Sequence, residues 1–96
     1  MSLVHSLPEV GSLLAGKFLI KDVIGQGGMA TVYRAEQVML GRTVAVKALN
    51  PEIAADPGIS ERFLQEARAA SRINHPNTIG VIDFGESAGL YYLVME

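Results

Sequence analysis

The 96-residue chain contains no cysteine, so it can form neither a disulfide framework nor a thiolate metal site. It has no run of about 18 consecutive apolar residues, the length that a membrane-spanning helix needs. No basic segment followed by an apolar stretch opens the sequence, so no signal peptide is predicted. We therefore expect a cytoplasmic segment without membrane contact. A membrane anchor outside this sequence is compatible with that expectation.

The chain also lacks a large excess of positive or negative side chains. Eight Lys and Arg residues stand against ten Asp and Glu residues, which gives a net charge of −2. Such a chain has no basic field to attract nucleic acid, and we predict no nucleic-acid partner. Apolar residues at 49% and charged residues at 19% are typical of a globular domain, so we expect the chain to fold.

Strand-like alternation begins only at Lys17. Residues 1–15 show little periodicity and are interpreted as an N-terminal tail, and residues 16–96 as one domain. Three strands are predicted first. They are separated by the glycine cluster at residues 25–28 and by a turn at Gly41-Arg42, and the third ends at Asn50-Pro51 because proline cannot donate to a strand ladder.

A helix is predicted next. Asp56-Pro57-Gly58 breaks the chain, and Ser60 is expected to cap a helix that reaches about Ile73. Glu66 lies on the margin of the apolar stripe of this helix. His75-Pro76-Asn77 should end it, and strands are predicted for residues 78–84 and 90–96. The fold class is therefore α+β: a five-stranded antiparallel sheet with one helix, in the order strand-strand-strand-helix-strand-strand.

The glycine cluster could bring backbone N–H groups close to an anion, since glycine permits positive φ and has no Cβ to block the approach. A simple hairpin turn is the alternative. A dinucleotide fingerprint requires a helix directly after the glycines, whereas Thr31-Val32-Tyr33 continues as strand. A Walker loop is excluded because no Gly-Lys-Ser/Thr follows.

Lys47 shares its strand face with Ala45 and Leu49, so its ammonium group should either reach water or find an anion. Glu66 is the candidate partner. Together they could hold the lysine against the oxygens of a bound nucleotide, or form a purely structural ion pair.

These segments resemble the protein kinase family, in particular its bacterial serine/threonine branch, over about residues 17–96. Residues 25–33 resemble the glycine-rich loop, and Val44-Ala45-Val46-Lys47 resembles the third-strand lysine motif. Phe63-Leu64-Gln65-Glu66-Ala67 resembles the segment around the helix glutamate, and residues 92–96 the strand that enters the hinge. The first three of these motifs occur in the family's order. The fold implied is the N-terminal lobe of a kinase, ending at the hinge.

The resemblance implies a role for each matching residue. Ile24, Val32 and Ala45 would form the roof over adenine, with Met95 as gatekeeper. Lys47 would hold the α- and β-phosphates and Glu66 would orient it, while the carbonyl of Glu96 would accept from the adenine amine. Ala30 takes the third glycine position of the loop, with little expected loss. The loop residues expected to bind ATP are Gly25, Gln26, Gly27, Gly28, Met29 and Ala30.

Asp83-Phe84-Gly85 spells the family's metal-binding tripeptide but precedes the last strand of the lobe instead of following the hinge. We interpret it as packing and turn residues and predict no metal ligand in this chain. The resemblance implies that the Mg²⁺ ligands lie in the second lobe.

The activity implied is transfer of the ATP γ-phosphate to serine or threonine hydroxyls of a protein substrate. The chain has no His-Arg-Asp catalytic loop and no activation segment, so it is expected to be inactive alone. Two alternatives remain: a non-catalytic module, such as a pseudokinase or a self-associating lobe, and a small β-rich nucleotide binder without transferase activity. An isolated lobe would expose apolar surface, so a homodimer of the fragment is also expected.

Overall fold

Turns at glycine and a stop at proline divide the chain into the strands of one antiparallel sheet. The computed structural model describes residues 7–72 and 80–96. Its strands are β1 (Leu13–Leu14), β2 (Phe18–Gln26), β3 (Ala30–Gln37), β4 (Arg42–Leu49), β5 (Val81–Ser87) and β6 (Leu90–Met95), and its helices are α1 (Pro51–Ala54) and α2 (Pro57–Ser71).

The expected fold class is confirmed. The five predicted strands correspond to β2 through β6, and the predicted helix corresponds to α2. The strand order in the sheet is β1-β2-β3-β4-β6-β5, and all neighbouring strands are antiparallel. No helix within residues 7–72 and 80–96 combines the length and the apolarity needed to cross a bilayer.

Strand β1 lies in the segment that we interpreted as a tail. Leu14 is only 6% exposed, and the strand pairs with the start of β2. The N–H of Gly11 donates to the carbonyl of Ile20 over 2.7 Å, and the N–H of Ile20 donates to Ser12 over 2.9 Å. A strand of two residues is too short to show the alternation that predicts longer strands. The sheet therefore has six strands, where five were expected.

One face of the sheet carries the hydrophobic core. Tyr33, Val46 and Val94 lie directly opposite one another on β3, β4 and β6, and all three are buried. Phe18 and Ile20 of β2 join the same cluster. Burial raises the pKa of the Tyr33 hydroxyl. The alternation of residues along each strand puts several of the predicted site residues on the opposite face.

Helix α2 begins differently from the prediction. Its N-cap is Asp56, whose side chain accepts from the N–H of Gly58 over 2.9 Å, and Pro57 occupies the first helical position. Ser60 is buried inside the helix and donates to the carbonyl of Pro57. Ser60 as the cap was therefore wrong: aspartate followed by proline is itself a strong helix start. The predicted helix end near Ile73 and the turn at residues 75–77 lie outside the described residues.

Candidate functional site

The face of the sheet opposite the core brings several predicted site residues into adjacent rows. Val32 of β3 lies opposite Lys47 of β4, which lies opposite Leu93 of β6. In the next row Ala45 lies opposite Met95. Opposed residues of antiparallel strands project to the same side, so Val32, Ala45, Lys47 and Met95 share one face. Lys47 is exposed and the other three are half-buried. We call this surface the open face.

The glycine-rich turn lies at the end of this face. Gly25 pairs with Val32, and a Cβ built on Gly25 would lie 3.9 Å from the Val32 Cβ. The turn closes with a hydrogen bond of 2.9 Å from the N–H of Gly27 to the carbonyl of Ala30. Gln26, Met29 and Ile24 are exposed, and Ala30 is buried opposite Leu49. Ile24 lies in a bulge of β2, between the pairs formed by Val23 and Gly25.

Of the two properties expected of these glycines, a positive φ is absent and open space for an anion is present. None of Gly25, Gly27 and Gly28 has a positive φ. A Cβ at Gly28 would meet no atom within 4 Å, and one at Gly27 would lie 3.7 Å from the Ala30 carbonyl oxygen. The fold therefore tolerates side chains here. What glycine supplies is open space above the backbone, which suits a bulky anion such as a nucleotide phosphate chain.

A buried asparagine holds this turn in place. The side-chain amide of Asn50 donates to the carbonyls of Gly27 and Gly28, each over 3.0 Å. Its Oδ1 accepts from the Thr31 hydroxyl over 2.9 Å, and its backbone N–H donates to the Met29 carbonyl over 2.8 Å. From the sequence, Asn50 was expected only to be part of a strand stop. An asparagine that directly follows an apolar strand was the available signal, because a buried amide requires partners.

Lys47 and Glu66 are not brought together. Both side chains are exposed, and the four ion pairs among the described residues do not include one between them. Helix α2, which carries Glu66, packs mainly against β5, whereas Lys47 lies on β4. Lys47 thus reaches solvent, which was the alternative considered for it. The pairing of these residues stays a prediction.

The end of β6 is fastened by its backbone. The N–H of Glu96 donates to the carbonyl of Gly80 over 3.0 Å. This bond ties Glu96, which directly follows β6, to the residue that directly precedes β5. The Glu96 carboxylate lies 3.9 Å from the Arg42 guanidinium. An exposed contact of that length adds little to stability.

Asp83 lies in β5 opposite Val94, and therefore on the core face of the sheet and not on the open face. Its Oδ2 is 3.5 Å from the Lys17 Nζ, and its Oδ1 accepts from the N–H of Phe84 over 2.8 Å. Tyr92 lies nearby, and its pKa is raised by burial and, secondarily, by the negative charge of Asp83. Asp83 thus contacts Lys17, which precedes β2, and the backbone of its own strand.

Comparison with known proteins places these features in a family. Residues 18–96 match the protein kinase domain. The serine/threonine-protein kinase PrkC of Bacillus subtilis is 45% identical over 87 residues, which cover 91% of this chain and 13% of PrkC. The serine/threonine-protein kinase PknA of Mycobacterium tuberculosis is 44% identical over 94 residues, which cover 93% of this chain and 22% of PknA.

The fold is shared as well. The crystal structure of the PknI kinase domain of Mycobacterium tuberculosis aligns with a TM-score of 0.79 at 30% identity, over 94% of this chain and 36% of that domain. This chain therefore spans only a minor part of the length of its curated relatives and of the solved domain. It belongs to the protein kinase family, in which it corresponds to the N-terminal lobe of the kinase domain and is related to bacterial serine/threonine kinases.

Proposed function

We propose that this chain is the ATP-binding lobe of a serine/threonine protein kinase. The observation that carries the proposal is the open face, where Val32, Ala45, Lys47 and Met95 lie in adjacent rows beside the glycine-rich turn. A partly apolar surface that presents the Lys47 ammonium group and ends at a turn containing Gly27 and Gly28 matches the chemistry of ATP: an aromatic base attached to a chain of phosphates.

In this proposal the apolar residues of the open face cover the base and the cation meets the phosphates. Ile24, Val32 and Ala45 contact adenine, Met95 borders it, and the backbone carbonyl of Glu96 accepts from the adenine amine. Lys47 neutralises charge on the α- and β-phosphates. The turn residues Gly25, Gln26, Gly27, Gly28, Met29 and Ala30 cover the phosphates, and Mg²⁺, when bound, neutralises further phosphate charge through ligands outside this chain.

Phosphoryl transfer belongs to a longer protein that contains this lobe. That protein transfers the γ-phosphate of ATP to serine or threonine hydroxyls of a protein substrate, which is supported by relatives named serine/threonine-protein kinases. This chain contains no His-Arg-Asp sequence to supply a base, so it is inactive alone. Within the longer protein, bound nucleotide gives Lys47 the anion it lacks here, and Glu66 pairs with Lys47 to orient it.

The decisive test replaces Lys47 by alanine in the longer protein. Because Lys47 is exposed, the substitution should leave the fold intact, while phosphate transfer should fall roughly a hundredfold or more, as for other preorganised donors in active sites. Transfer of phosphate to a serine-containing peptide is the measurement. Lys21→Ala is the matched control: Lys21 is also an exposed lysine of the sheet, and its partner Glu36, 3.4 Å away, lies four residues along β3 from Val32. Equal activities of the two variants would contradict the proposal.

A non-catalytic, self-associating module is the second candidate. It is favoured by exposed large apolar side chains, several of them in the connection between β3 and β4. These are Val38, Met39 and Leu40. If this candidate holds, the longer protein binds a second copy of itself and transfers no phosphate, so the same peptide assay separates the two candidates.

A further inference from the structure

Asn50 contacts the glycine-rich turn through both its side chain and its backbone. It is 8% exposed and stands directly after β4, three residues beyond Lys47. Its side chain and backbone together engage the carbonyls of Gly27, Gly28 and Met29 and the hydroxyl of Thr31. A single residue thus fastens the whole glycine-rich turn to the strand that carries Lys47.

The direction of the amide is fixed by its partners. The carbonyls of Gly27 and Gly28 can only accept hydrogen bonds, so the amide nitrogen of Asn50 must face them. Its oxygen is left for the Thr31 hydroxyl. Asn50 is also the N-cap residue of α1, yet its side chain makes no capping bond there. Asparagine is among the best capping residues, so its use in the turn is a departure from its usual role.

The contacts decide which way the turn presents its N–H groups. In a planar trans peptide, the C=O of one residue and the N–H of the next point in opposite directions. Because the carbonyls of Gly27 and Gly28 point to Asn50, the N–H groups of Gly28 and Met29 point away from it. Neither N–H donates to a backbone carbonyl within the part of the chain that the structure describes. Within the described residues these two adjacent donors therefore have no backbone acceptor, and both point away from Asn50.

We propose that Asn50 is a positioning residue for ATP: it holds the carbonyls of the glycine-rich turn on its own side, so that the N–H groups of Gly28 and Met29 are presented to the phosphates. This inference rests on the proposed function, since it requires that phosphates bind at the turn. Because Asn50 directly follows β4, it also fixes the position of the turn relative to Lys47. The N–H groups of the turn and the Lys47 ammonium group, which both contact phosphate, are thereby held at a constant distance from each other.

The test compares two ligands that differ only in phosphate. Asn50→Ala in the longer protein removes both amide donors, and ATP and adenosine are each titrated against the variant and the unaltered protein. Two hydrogen bonds of ordinary strength predict a rise of roughly tenfold in the dissociation constant for ATP. The dissociation constant for adenosine should stay within about twofold, because the contacts to the base do not depend on the direction of the turn's N–H groups.

Thr31→Val is the matched control. It removes the hydroxyl that Oδ1 accepts from, but leaves both amide donors on their carbonyls. This variant should lose stability and keep its affinity for ATP. Asn50→Ser serves as a second variant with a smaller change, and should weaken ATP binding less than Asn50→Ala does.

The outcomes separate the two proposals. If the unaltered protein binds no ATP, the proposed function fails. If the unaltered protein binds ATP but Asn50→Ala binds it equally well, or loses ATP and adenosine to the same extent, the positioning role of Asn50 is overturned and the proposed function stands. Failure of both Asn50 variants to fold, judged by circular dichroism, would also overturn it, since Asn50 would then be a purely structural residue.

Discussion

The two faces of the sheet are built from the same strands and have opposite surroundings. On the core face, Tyr33, Val46 and Val94 form a row that is almost wholly buried. One residue further along each strand, Val32, Lys47 and Leu93 form a row that is at least partly accessible. Valine occurs in both rows, so residue type alone does not tell which face is covered. We therefore expect stability to depend mainly on the core face, and the proposed ATP binding to depend on the open face.

The largest effect is expected for a large buried side chain of the core face. Phe18 is 1% exposed and belongs to the core cluster, so Phe18→Ala should lower the free energy of unfolding by about 3–5 kcal/mol. A loss of that size leaves a small domain close to unfolding. Urea titration of the chain followed by circular dichroism measures it. A loss below about 1 kcal/mol would mean that the core face is not the main source of stability.

A matched pair of valines tests the comparison directly. Val46→Ala should lower the free energy of unfolding by about 2 kcal/mol, because two buried methyl groups are lost and a cavity remains. Val32→Ala should cost less than about 0.5 kcal/mol, as expected near a surface. The order should reverse for ATP affinity, which should fall for Val32→Ala and stay unchanged for Val46→Ala.

Equal destabilisation by the two valine variants would break the distinction between the faces. Equal loss of ATP affinity would do so as well. Urea titrations and ATP titrations of the same two preparations give both comparisons.

The smallest effect concerns the ion pair between Asp22 and Arg34, which lie opposite each other at 2.9 Å in the row that contains Ala45 and Met95. Both side chains are about half exposed, so Arg34→Ala should cost no more than about 0.5 kcal/mol in free energy of unfolding. This loss of unfolding free energy should become smaller in about 1 M salt, because salt screens the attraction between exposed charges. Arg42→Ala, whose contact with Glu96 spans 3.9 Å, should have no measurable effect.

Much of the fold could be predicted because its signals are local. Glycine clusters, the Asn50-Pro51 stop and strand alternation located β2 through β6, and the order of the motifs indicated the family. Alternation predicted that Lys47 and Ala45 share a face, and the family resemblance added Val32 and Met95; the strand register places all four on one face.

The remaining features depend on contacts between distant parts of the chain. Strand β1 forms because residues 11–14 hydrogen-bond to the edge of β2. A strand of two residues has no periodicity from which that pairing could be predicted. The separation of Lys47 from Glu66 depends on where α2 docks on the sheet. The capping of α2 by Asp56 was the exception, since it was local and was outweighed in the prediction by a serine four residues later.

The short strand β1 also limits how the sheet can meet other chains. It pairs with the outer hydrogen-bonding groups at the start of β2. Because β1 has only two residues, a strand from another chain would find almost no backbone groups on it with which to pair. At the opposite margin, β5 is irregular around Ile82 and lies against α2. Beyond Ile20 the outer edge of β2 is not covered by β1, but β2 is irregular between Ile20 and Asp22 and again between Val23 and Gly25. Both margins are thus poorly suited to strand addition, the common route to cross-β aggregation. A partner of this lobe will therefore dock mainly through side chains.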